Sequence, residues 1–215
     1  MFLSDAETAT IHAQISRLEA RTGVQVMTAV VGKSDSYAEL PWKAFALGAA
    51  LSGFALVAAA AWWPQWVTAS TVLVSVTTVL GVAAACALLA VFAPPFARLF
   101  LGPARRDLEV RQYAQSLFLA REVFRTDGRT GILILISLFE RTTQILPDTG
   151  LQTRMTGADW DAVVARMTSM LGHAPPARAL EEGLTALEQA LVARGFQPGS
   201  GRNELPDRPV EERGE

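Results

Sequence analysis

Residues 44–97, AFALGAALSGFALVAAAAWWPQWVTASTVLVSVTTVLGVAAACALLAVFAPPFA, form a run with no Asp, Glu, Lys, Arg or His. A helix that crosses a hydrocarbon core needs about 20 apolar residues at ~1.5 Å each. The run therefore has room for two spans, Ala44 to Trp63 and Trp66 to Phe92, separated by the break at Pro64-Gln65. Trp62, Trp63 and Trp66 cluster at that break, where an aromatic belt meets a membrane–water boundary. Trp42 and Phe96 mark the other boundary, and Pro94-Pro95 stops the second helix. The alternative, two buried helices of a soluble core, requires apolar cover on all sides of both helices.

The flanking cations set an expected topology. Lys33 and Lys43 precede the run, Arg98, Arg105, Arg106 and Arg111 follow it, and the Pro-Gln connection carries none. By the positive-inside rule both ends are cytoplasmic and the tight turn faces out, giving a multi-pass membrane protein. The start, Met1-Phe2-Leu3-Ser4-Asp5, lacks the basic and apolar regions of a cleaved signal peptide.

The formal net charge is −2, so no global basic field points to nucleic acid. The one cysteine, Cys86, falls in the second span, and only His12 and His173 occur as histidines. These numbers argue strongly against a zinc site or a Cys–His nucleophile. About 140 residues outside the run suit one soluble domain.

That domain reads as helices and short strands on either side of the run. Ser4-x-x-Glu7 is a capping box with Leu3 as its staple, Ile11, Ile15 and Leu18 follow at helical spacing, and Gly23 ends the helix. Val24 to Val31 and Ile132 to Ile136 are apolar on both faces, as strands covered on both sides are. Between them Asp107 to Arg125 is amphipathic, with Val110, Tyr113, Leu117 and Phe124 on one stripe. Thr142 to Leu146 alternates as an edge strand does. Thr156-x-x-Asp159 opens a helix bearing Trp160, Val164, Met167 and Leu171. Pro175-Pro176 precedes a last helix with Leu180, Leu184, Leu187 and Leu191, closed by Gly195.

Two doubly buried strands need helices on both faces. The expected fold is α/β, an α/β/α sandwich with a small mixed sheet, interrupted by a two-helix transmembrane hairpin. Its soluble domain comprises residues 1–35 and 104–196, the hairpin 44–97, and the Pro-, Gly- and charge-rich residues 197–215 a flexible tail. The first two strands are expected to be parallel.

Several motifs resemble the TPM-domain family. Phe2-Leu3-Ser4-Asp5-x-Glu7 and Arg21-Thr22-Gly23 are similar to its opening, and Arg125 to Ile134 followed by Ser137-Leu138-Phe139-Glu140-Arg141 looks like its central signature. Asp148-Thr149-Gly150 and the Trp160 helix fit as well. Asn203-Glu204-Leu205-Pro206 is similar to the ends of bacterial members with a membrane hairpin in this position. The resemblance implies an α/β/α fold and service to a membrane complex. Phosphatase activity and divalent-cation binding, proposed for relatives, come without a shared catalytic motif to carry over.

Ligands of parallel α/β sheets bind beyond the carboxyl ends of the strands. That edge holds Lys33, Ser34 and Asp35 with Ser137, Glu140 and Arg141. Asp35 with Glu140 suits a cation such as Ca²⁺ or Mg²⁺, and Lys33 with Arg141 suits a phosphate; a solvated loop of mixed charge is the plainer alternative. With Ser36 to Lys43 the only link to the first span, this edge is expected to face the lipid. Arg129 and Asp148 are expected to pair, either as a binding site or as a turn fixture. Arg98, Arg105 and Arg106 form a juxtamembrane cluster that attracts anionic lipid. Gly48 and Ser52, with Gly81 and Ala85, are small residues that let the two spans pack closely.

The expected function is a non-enzymatic accessory or binding factor, resident in the bilayer, for another membrane protein, with no cofactor and no nucleic-acid partner. A membrane-associated metal-dependent phosphatase and a small oligomeric channel or transporter are the alternatives. The oligomeric state stays open.

Overall fold

A computed structural model describes residues 2–62, 68–198 and 204–214. The chain forms two compact units, one of Met1–Asp35 with Arg106–Glu215, the other of Ser36–Arg105.

The first unit is built on a four-stranded mixed sheet. Helix α1 (Asp5–Thr22) opens with the Ser4/Glu7 capping box and ends at Gly23, whose left-handed φ of 69° needs no Cβ penalty. Strand β1 (Gln25–Val31) follows and is buried along its whole length. Strand β2 (Gly131–Ser137) lies parallel to β1, with Gln25 opposite Gly131 and Val31 opposite Ser137. Strand β3 (Thr142–Pro147) returns antiparallel to β2 and forms one edge of the sheet.

Alternation along the strands feeds two apolar layers. Val26, Val30, Ile132, Ile134 and Ile136 pack with Ile11, Ile15 and Leu18 of α1. The same layer takes Val163 and Met167 of α6 (Gly157–Met170) and Leu180, Leu184, Leu187 and Leu191 of α7 (Pro176–Ala193). On the opposite face Met27, Ala29, Val31, Leu133 and Leu135 meet Val110, Ala114 and Leu117 of α5 (Pro103–Ala120). Burying each such side chain contributes about 1.5–3 kcal/mol against exposure, which explains why both strands read as continuous apolar runs.

Two expectations for this unit are corrected. Helix α5 ends at Ala120 rather than Arg125, because Glu122 adopts φ 51° and turns the chain back so that Val123 enters the core. Phe124 therefore leaves the helical stripe; Val123 is the buried residue of that turn. The second correction is the tail. Residues 204–214, expected to be flexible from composition, supply strand β4 (Val210–Glu212), parallel to β1 with Ala29 opposite Val210. The sheet order is β3-β2-β1-β4, so β4 closes the edge that β1 would otherwise present.

The second unit consists chiefly of two apolar helices, α2 (Glu39–Trp62) and α3 (Ala69–Phe92), each of 24 residues. Both are long and apolar enough to cross a membrane, with hydropathies of 2.0 and 2.4. Helix α2 starts earlier than the apolar run, with Pro41 in its first turn, where a missing N–H is tolerated. The two helices pack through Gly48: a Cβ there would stand 3.0 Å from both the Ala83 Cα and the Cys86 Sγ. The expected Gly81/Ala85 contact does not form, since nothing lies within 4 Å of the Cβ direction of Gly81 and Ala85 is exposed. Polar side chains in the helices bond to their own backbone, Ser52 to Gly48 O, Thr77 to Leu73 O and Thr78 to Val74 O. The short α4 (Pro94–Ala97) follows α3. Of the tryptophans expected at the break, Trp62 is 81% exposed at the end of α2. Trp63, Pro64, Gln65 and Trp66 lie outside the described residues.

Candidate functional site

The carboxyl ends of β1 and β2 bring three of the expected residues together. The chain leaves β1 at Gly32, and the β2–β3 turn passes beside it, with the Leu138 N–H donating to Val31 O at 3.0 Å and the Phe139 N–H to Gly32 O at 2.9 Å. This places Glu140, 3% exposed, under the β1 exit loop. The Ser34 N–H donates to Glu140 Oε1 at 2.9 Å, and the Ser137 hydroxyl donates to Glu140 Oε2. The Ser34 hydroxyl donates in turn to Ser137 Oγ at 3.0 Å. A buried carboxylate is costly without such donors, and here both its oxygens are engaged.

The remaining residues of that edge are less enclosed. Lys33 holds its ammonium 5.4 Å from the centre of the Phe139 ring, within cation–π range. Asp35 is half-buried, and Arg141 is exposed on a left-handed φ of 52° in the turn. Among the described residues, no group of three or more His, Cys, Asp or Glu side chains is placed to hold a metal ion.

Arg129 and Asp148 meet at 2.9 Å, Nε to Oδ2. Asp148 is buried at 3% exposure of its side chain, while Arg129 is 52% exposed and also stacks 5.6 Å over the Phe124 ring. The Thr149 N–H donates to Asp148 Oδ1 at 2.7 Å. Asp148 Oδ2 has no aligned hydrogen bond, so the arginine charge is what compensates it. The pair joins two tight loops. A Cβ on Gly150 would stand 2.1 Å from Gly128 O, and Gly128 itself takes φ 75°, so both positions require glycine.

The expected juxtamembrane cations are engaged locally. Arg105 faces Glu39 at 3.9 Å, the Lys43 ammonium donates to Phe100 O at 3.4 Å, and Arg106 pairs with Asp107 at 2.9 Å. Arg98 is half-buried in the turn after α4.

The sequence reading missed a second polar assembly, along the β4 edge of the sheet. Glu204, Asp207, Glu211 and Glu212 of the tail contact Asp127, Ser16, Phe2, Tyr113 and Arg121. Tyr113 and Arg121 hold the Glu212 carboxyl below its ordinary range by hydrogen bonding to its charged form. Beside them, burial pushes the Glu19 carboxyl up to about 7, against the hydrogen bond from the Val26 N–H and helped by the nearby Asp207 charge. The one signal for Glu19 in the sequence is an acid on the apolar stripe of α1, at four residues from Ile15.

Residues 103–190 match the sequence profile of the TPM domain. Among solved structures, the chain is similar to the NMR structure of the BA42 protein from the psychrophilic bacterium Bizionia argentinensis. That likeness has a TM-score of 0.59 at 14% identity and covers 98% of this chain and 96% of the other. At that identity it establishes a shared fold. No curated protein matches the chain.

Proposed function

We propose that the protein is a membrane-anchored accessory factor that binds another membrane protein, a hairpin-bearing member of the TPM-domain family with an α/β/α soluble domain. The observation that carries the anchoring is the surface of α2 and α3. Only 11% and 6% of their most apolar windows are buried, and Leu51, Phe54, Val57, Leu73, Val74 and Leu88 are all more than half exposed. Soluble monomers rarely leave apolar patches beyond a few hundred Å² open, whereas a bilayer covers such helices on all sides. In the bacterial inner membrane of this proposal, the cations Lys33 and Lys43 before the helices and Arg98, Arg105, Arg106 and Arg111 after them support an orientation with both termini cytoplasmic.

A binding role rather than an enzymatic one is favoured by how the candidate edge uses its carboxylate. Both oxygens of the buried Glu140 are engaged by Ser34 and Ser137, a structural use of that carboxylate. The exposed Arg141 of the same edge suits recognition of an acidic partner surface.

Alkaline extraction of cell membranes tests the anchoring: the protein should remain in the pellet, and its release with peripheral proteins would overturn the reading. For the accessory role, purified full-length protein should give no turnover of a phosphomonoester with Mg²⁺, Mn²⁺ or Ca²⁺. Metal-dependent turnover abolished by Asp35→Ala would establish the phosphatase instead.

A further inference from the structure

The tail is held in a distinctive way. Its strand β4 pairs with only three residues of β1, Ala29 to Val31, whereas β2 pairs with seven. Leu205 is its one residue fully within the apolar layer, with Val210 packed partly against it. The rest of its attachment is a row of carboxylates, each received by a donor of the body. Glu204 accepts from the Asp127 N–H at 2.7 Å, and Asp207 from the Ser16 hydroxyl at 2.7 Å, with His12 Nε2 at 3.6 Å. Glu211 accepts from the Phe2 N–H, and Glu212 from the Tyr113 hydroxyl at 2.6 Å and from Arg121 at 2.8 Å.

The backbone is received in the same manner. Gln25 Oε1 accepts from the Glu204 and Leu205 N–H groups at 2.7 and 3.2 Å, and the Gly32 N–H donates to Glu212 O at 3.0 Å. Phe2, Ser16 of α1, Gln25 of β1, Tyr113 of α5, Arg121 just after it and the Asp127 loop thus line an edge groove whose donors, backbone N–H groups of Phe2 and Asp127 and side chains of Ser16, Tyr113 and Arg121, match acids at intervals of three, four and one residues. Main-chain pairing at a sheet edge plus side-chain readout is how β-augmentation sites bind extended peptides.

We propose that the outer edge of β1 is a docking groove for an extended acidic segment of a partner protein, and that residues 204–214 occupy it as a displaceable stand-in. An attachment that is mostly polar and short in strand pairing opens separately from the core. Its release leaves the β1–β2 pairing in place and withdraws only Leu205 and Val210 from one of the two apolar layers. The partner then adds its own strand parallel to β1, with carboxylates at the places of Glu204, Asp207, Glu211 and Glu212. This inference rests on the binding-factor reading and gives that factor its class of partner.

The test uses the full chain with a protease site introduced between Pro198 and Glu204, cleaved after folding. A fluorescent synthetic peptide of residues 204–214 should replace the severed tail. A peptide with Glu204, Glu211 and Glu212 changed to Gln and Asp207 to Asn should bind at least tenfold more weakly. In the uncleaved chain, amides of Gly32 and Val210 to Glu212 should exchange with solvent at least tenfold faster than those of β2. Exchange of β4 only together with β2, unfolding of β1–β2 on tail release, or equal binding of the acid-free peptide would each overturn the proposal. Concentration-dependent dimers that trade tails would overturn the assignment to a separate partner. Membrane extraction is read independently, so failure here and failure of the anchoring are distinguishable.

Discussion

The backbone N–H of Ser34 donates to the buried carboxylate of Glu140 at 2.9 Å, tying the loop that leaves β1 to the turn between β2 and β3. The two residues are 106 positions apart, separated by the apolar helices and α5. Their contact locks the carboxyl ends of the two parallel strands in register.

Glu140→Ala should therefore destabilise the soluble unit by about 2–4 kcal/mol, because it strands a buried N–H and hydroxyl as well as removing their partner. Glu140→Gln, which keeps an acceptor, should cost less. Urea unfolding followed by tryptophan-independent circular dichroism at 222 nm checks the order of the two variants.

Arg129→Ala leaves Asp148 buried with one oxygen uncompensated. The expected loss is about 1–2 kcal/mol at neutral pH, toward the low end for a buried pair because the arginine is half exposed. The double variant Arg129→Ala, Asp148→Asn should recover part of that loss in thermal melts. A loss equal to or greater than that of the single variant would assign Arg129 a different role.

Glu19 sets a pH dependence. Its folded pKa, raised to about 7, lies above the ordinary 4.5, so the fold favours the protonated form. Its contribution is fully present below about pH 4.5 and is lost as pH rises through 7. Glu19→Gln keeps an acceptor for the Val26 N–H and removes the titration. It should raise stability on the order of 2 kcal/mol at pH 8 and leave it nearly unchanged at pH 4. Denaturation midpoints of both proteins across that range provide the comparison.

Glu212 runs the other way. Hydrogen bonds from Tyr113 and Arg121 lower its pKa, so its contribution is present above the ordinary carboxylate value and is lost as pH falls through the folded one. Tyr113→Phe should accelerate amide exchange at Val210 to Glu212 severalfold at neutral pH, with little change in β2.

Topology gives a further expectation. A reporter active only outside the cytoplasm should be silent when fused after the last residue. Strong activity would reverse the orientation drawn from Lys33, Lys43, Arg98, Arg105, Arg106 and Arg111.

Much of the fold was legible because its signals are local. The Ser4/Glu7 and Thr156/Asp159 capping boxes, the apolar runs of β1 and β2 and the leucines of α7 each act within one turn or one strand. The end of α5 was not, since Glu122 adopts a left-handed φ to let Val123 reach the core, and no nearby residue signals that demand. The candidate edge was legible in its membership and not in its chemistry. Ser34, Ser137 and Glu140 stood out by position, yet whether a carboxylate awaits a cation or serves one hydroxyl and one N–H depends on the packing of the turn.

The sequence by itself determined the periodic elements, the parallel pairing of the first two strands and the presence of two helices apolar enough for a bilayer. Each follows from hydrophobic pattern and charge placement, which are written residue by residue. Only the tertiary structure decided the fate of the tail. Its composition is that of a disordered segment, with acids, prolines and a single buried leucine. It becomes a strand because the open edge of β1 and donors spread over α1, α5 and the Asp127 loop converge to receive it. Such convergence joins residues up to 209 positions apart, and no local pattern carries it.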